Sequence, residues 1–158
     1  MRHGSRMSQF RAGTAAVELA LLMPLIVALL LGVWEVGRML NINQILSNAA
    51  REGARQASTG QNTASQVQTV VLNYLQDAGI PTANVTVTTT DLTAPGTDPT
   101  NAAQLDQLQV VVTIPFSDVR WIALNFLATT GSQLSGSATW DCLKDQSYPS
   151  SSSPPVGF

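Results

Sequence analysis

Residues Arg11–Gly32 read RAGTAAVELALLMPLIVALLLG, and this stretch decides how the chain is organised. From Leu19 to Trp34 every residue is apolar or Gly, and counting back to Thr14 gives a run of 21 residues with one charge, Glu18. At about 1.5 Å per residue a helix of that length covers roughly 30 Å, enough to cross a hydrocarbon core. Leu, Ile and Val each favour insertion by about 0.3–0.6 kcal/mol, against about 2.5–3.5 kcal/mol for a charge at the helix centre. Glu18 sits near one end, where its cost is lower, so insertion wins. Arg2, Arg6 and Arg11 precede the run and no acid accompanies them. That asymmetry puts the N-terminus in the cytoplasm and the remainder outside it. Pro24 removes one backbone hydrogen bond and crowds the Ala20 carbonyl, which predicts a kink or local loosening. A cleaved secretory signal is the competing reading of the same residues, but the run passes into GVWEVGRMLN without a small-x-small exit.

Beyond the apolar run, residues 35–57, EVGRMLNINQILSNAAREGARQA, contain no proline. They place Val36, Met39 or Leu40, Asn43, Leu46, Ala50 and Ala54 along one side at helical spacing. Glu35 and Arg38 are spaced i, i+3, as are Glu52 and Arg55, so each pair can meet on the helix surface. Residues 14–57 together predict one stem of about 65 Å, which Ser58, Thr59 and Gly60 end.

The rest predicts a small α+β body. Residues 63–78 are amphipathic, with Val67, Val70, Val71, Tyr74 and Leu75 on one face, and Gly79 and Pro81 close the helix. The period then changes to two. Asn84–Thr90 and Gln107–Phe116 read as strands, the second with Leu108, Val110, Val112, Ile114 and Phe116 on one face. Between them, residues 91–104 are a loop with Pro95, Gly96 and Pro99. Ser117 and Asp118 can cap a short helix, VRWIALNFLA, whose apolar surface calls for burial, a membrane surface or a partner. A last strand, Gln133–Trp140, precedes a Ser/Pro-rich tail that predicts disorder. The division is therefore a leader (1–13), a transmembrane helix (14–34), its continuation (35–57), a small body (58–145) and a tail (146–158). The fold class is α+β, with a long N-terminal helix packed on an antiparallel sheet of three or four strands.

The net charge of −2 hides a basic leader and an acidic body. Residues 56–158 hold seven Asp against Arg120 and Lys144, which argues against nucleic acid as a partner. Cys142 is the only cysteine, so no internal disulfide can form. Asp91, Asp98 and Asp106 flank one loop without calcium-loop spacing and read as ordinary loop acids. Asn84-Val85-Thr86 matches a glycosylation acceptor by chance. With histidine confined to the leader, and no phosphate loop, nucleophile elbow or metal spacing, the expectation is no catalytic residue, no metal and no cofactor.

The ordered set of Gly13 to Glu18, then Glu35-Val36-Gly37-Arg38, then Ala49-Ala50-Arg51-Glu52-Gly53-Ala54-Arg55 resembles the TadE-like family, minor pilins of the tight-adherence (type IVc) pilus. The resemblance covers residues 11–57 well and the final strand, LSGSATW, more weakly. It implies that a prepilin peptidase cuts between Gly13 and Thr14. Gly13 has no side chain to hinder entry into a protease cleft, and Arg11 holds the junction at the cytoplasmic face. It further implies that Glu18 pairs with the Thr14 amine of a neighbouring subunit, as a register device formed on assembly. The implied partners are the peptidase, other major and minor pilins, the inner-membrane assembly platform, and membrane lipid before assembly. The implied location is the bacterial inner membrane, with the body periplasmic, and then the fibre. An uncleaved, signal-anchored envelope protein that binds another envelope component is the alternative, and a secreted enzyme, for which only the acidic body speaks, is the third reading.

Overall fold

The computed structural model describes residues 6–120 and 131–144, with side chains from Thr14 onward. The chain divides into two compact units, Met1–Asn41 and Ile42–Phe158. Helix α1 (Arg6–Ser58) supplies all that is described of the first unit and the opening element of the second. The helix passes through Pro24 without interruption. Its start at Arg6 also takes in most of the leader, which has no apolar period to announce a helix.

In the second unit, helix α2 (Ala64–Asp77) starts at a capping box. The Thr63 hydroxyl accepts from the Gln66 N–H, and the Gln66 side-chain oxygen accepts from the Thr63 N–H at 2.9 Å. Two N–H groups that the first turn leaves without partners are thereby satisfied. The helix stops at Gly79, whose φ of 74° few other residues adopt cheaply, and the Ile80 N–H donates to the Leu75 carbonyl at 2.9 Å. Of the amphipathic face, Val67, Val71 and Leu75 are buried while Tyr74 is exposed.

Three strands, β1 (Thr86–Asp91), β2 (Gln107–Pro115) and β3 (Gln133–Asp141), form an antiparallel meander in the order β1-β2-β3. Thr89 pairs with Val110, and Val110 with Ala138. One face of β2, Leu108, Val110, Val112 and Ile114, is fully buried. Such side chains contribute about 1.5–3 kcal/mol each. The other face carries Gln107, Gln109, Val111, Thr113 and Pro115, all half-buried or exposed, as the period of two requires. β1 starts later than expected and leaves Val85 outside, so its inner residues are Val87, Thr89 and the buried Asp91. β2 ends at Pro115, because Phe116–Asp118 turns into a short 3-10 segment that leaves Phe116 only half-buried. That segment has no side-chain cap: the Ser117 hydroxyl bonds to Asp118 instead. The apolar helix expected after it, and the expected disordered tail, lie largely outside the described residues.

The loop acids are structural. Asp91 Oδ1 accepts from the Thr93 and Ala94 N–H groups, both at 2.8 Å, and Asp106 accepts from Ala103 at 2.7 Å. Asp98 accepts from the Thr100 N–H and hydroxyl and reaches across to the Ala64 N–H at 3.1 Å, so one carboxylate ties the β1–β2 connection to the start of α2. Its pKa is lowered, first by the Thr100 N–H, then by the Thr100 hydroxyl, then by Ala64. A depressed folded-state value stabilises the fold above the unfolded pKa and is lost as pH falls through the folded one. Asp98→Ala is expected to cost about 1 kcal/mol at pH 7, as for a lost cap. In urea titrations the gap from the native chain will narrow below about pH 4; a pH-independent gap would contradict an ionic role.

Candidate functional site

In the first unit, every residue from Thr14 to Leu31 is exposed. Among the described residues, one helical span, Thr14–Ser58, is long and apolar enough to cross a membrane. Leu21 is 75% and Leu30 65% exposed. An uninterrupted apolar surface of this size needs lipid or other helices to cover it. Glu18 projects from it one helical turn beyond Thr14, itself exposed. The Gly13–Thr14 bond lies inside helix α1, whereas a protease cleft takes extended backbone. Cutting there requires local opening of the helix, which Gly13 eases by about 1 kcal/mol relative to Ala.

The Glu35–Arg38 spacing does not produce the surface pair its periodicity allows. Glu35 is buried, and neither carboxylate oxygen has a hydrogen-bond partner among the described residues. Gly37 is exposed, and Arg38 is half-buried. The Glu52–Arg55 pair does form: Arg55 Nη2 lies 2.6 Å from Glu52 Oε1 and Nε lies 3.0 Å from Oε2, with Gln56 Nε2 donating to Oε1 at 3.0 Å. Arg51 is exposed and makes only a 3.4 Å contact to Asn48. On the solvent side of a helix water and salt screen such a pair, so it adds little to stability.

The segment Ala49–Arg55 thus has two faces with different work. Arg51, Glu52 and Arg55 point outward. Ala49, Ala50, Gly53 and Ala54 are buried, together with Ile42, Leu46 and Ala57. Gly53 shows why these residues are small. A Cβ there would come 2.6 Å from Val71 Cγ2 of α2 and 3.2 Å from Val110 Cγ1 of β2, so helix, helix and sheet meet at this point. Asn43, expected on the inner side, is half-buried, and Ile42 takes that place.

Sequence reasoning missed Gly136. It sits in the middle of β3 with the α1 backbone at Leu46 and Ser47 so close that any Cβ would collide with main-chain atoms. A glycine interrupting an otherwise regular strand is the signal that could have found it, since such residues mark a close backbone approach. The segment that follows β3 is fastened to the end of α1 and to the β1–β2 connection. The Leu143 N–H donates to the Ser58 carbonyl at 2.8 Å, and Lys144 lies over Gly60 and donates to the Thr100 carbonyl at 2.6 Å. Cys142 is buried and free. Asn84, the chance glycosylation match, donates to Asp118 at 2.8 Å.

Residues 13–55 match the family model described as TadE-like protein. The matched range opens on Gly13 and closes on Arg55, and so contains the junction, Glu18 and both downstream motifs. No curated protein and no solved structure gives a match.

Proposed function

From the TadE-like match over residues 13–55, we propose that the chain is a Tad (type IVc) pilus component of the minor-pilin kind, with a structural and not an enzymatic role. In this proposal a prepilin peptidase removes residues 1–13 at the cytoplasmic face of the inner membrane. Thr14 becomes the new terminus, and the exposed helix leaves lipid to pack among the stems of other pilins on the assembly platform. The observation that carries the proposal is a single carboxylate, Glu18, on an otherwise apolar, fully exposed helical surface, one turn from the junction. A charge there is unfavourable against lipid, and becomes useful when a neighbour's freed amine meets it. The body, closed around Gly53 and Gly136, is the part that stays outside the membrane in this proposal.

Mass spectrometry of the protein from cells with an active prepilin peptidase will find Thr14 as the first residue. A chain that keeps Met1–Gly13 in those cells overturns the proposal and leaves an uncleaved membrane anchor in its place.

A further inference from the structure

Trp34 closes the apolar run. It is 64% exposed, next to Val33 at 74%, and Glu35 follows it directly. It is also the sole aromatic residue between Phe10 and Tyr74, so residues 11–33 form an aromatic-free run bracketed by Phe10 and Trp34. From Thr14 to Trp34 a helix rises about 30 Å, the thickness of a hydrocarbon core. An indole carries an apolar body and one N–H donor, and such side chains collect where acyl chains meet headgroups. A tryptophan needed only for packing would be covered; here the ring is largely exposed, with no covering element among the described residues.

We propose that the Trp34 indole lies in the outer headgroup layer and sets the depth at which the chain rides in the bilayer before assembly. Arg11 marks the opposite boundary, about 35 Å along the helix. The occupant of this surface is therefore lipid at the ester and glycerol level, and Glu35 is the first residue beyond it. The inference rests on the membrane-spanning role proposed above and adds a specific register to it.

The test uses the full-length chain in phosphatidylcholine vesicles, with Trp121 and Trp140 replaced by Phe so that Trp34 is the remaining tryptophan. Phosphatidylcholine brominated close to the ester is expected to quench Trp34 at least about twofold more than lipid brominated near the chain end. A Val27→Trp, Trp34→Phe companion should show the reverse order. Stronger quenching of Trp34 by the deep bromine, or quenching by aqueous iodide alone, overturns the interfacial register while the companion keeps the membrane span. Absence of lipid quenching in both chains overturns the span itself. Should the double Phe replacement disturb folding, 5-fluorotryptophan in the native chain gives the same depth order by fluorine NMR against spin-labelled lipids.

Discussion

Gly136→Val is expected to unfold the body at markedly lower urea than the native chain. The added side chain has no room, because the opposing atoms are the α1 main chain at Leu46 and Ser47 and not the tip of a side chain that can turn away. Relief requires β3 to move off α1, and that movement also breaks the burial of Leu134 and disturbs the ladder in which Gly136 pairs with Val112. Overpacking ordinarily costs about 1–3 kcal/mol, and a clash with fixed backbone belongs at or above the upper end. The measurement is urea unfolding followed by circular dichroism of the full-length chain in detergent. Ser137→Val is the control. It adds bulk to the neighbouring position on the exposed face, and should stay within about 0.5 kcal/mol of the native chain. Equal losses in both chains would show that β3 tolerates bulk on neither face, and the close approach at Gly136 would lose its special status.

Glu18→Ala has the second large effect, on assembly and not on folding. Removing the charge from the apolar run makes insertion easier, so the membrane-extracted fraction should remain unchanged. The proposed pair with a neighbour's Thr14 amine is lost, and the amine is left without a partner among apolar stems. Breaking one side of a buried pair costs about 3–5 kcal/mol, which corresponds to an association weaker by on the order of 100-fold or more. Pili counted on cells by electron microscopy should therefore fall to a small fraction of the native number. A Glu18→Ala strain with native pilus numbers and a cleaved Thr14 terminus would refute the pairing while leaving the processing site intact.

Patterns governed by local chemistry were readable from the residues. The apolar run, the existence of a strand after α2, the alternation of Leu108 to Ile114 and the helix stop at Gly79 each follow from one element's own geometry, so a single sequence exposes them, although β1 starts at Thr86 and not at Asn84. Partner choice was less legible. The spacing of Glu35 and Arg38 permits the same pair as Glu52 and Arg55, yet one carboxylate is buried with no hydrogen-bond partner among the described residues and the other holds its arginine at 2.6 Å. Helical spacing says which side chains are neighbours and is silent on what lies opposite them. Asp91, Asp98 and Asp106 were legible as loop acids, but not as the acceptors that shape the loop or as the link from Asp98 to Ala64.

By itself, then, the sequence determined the exposed apolar run with its one carboxylate and the α+β character of the body, because periodicity and composition act over a few neighbouring residues. Only the tertiary structure decided why Ala49, Ala50, Gly53 and Ala54 are small, that Ile42 and not Asn43 turns inward, and that Gly136 is a contact point between strand and helix. Those facts depend on residues distant in sequence competing for the same volume. At close-packed density the absence of a side chain has meaning only once the atoms that fill its place are known.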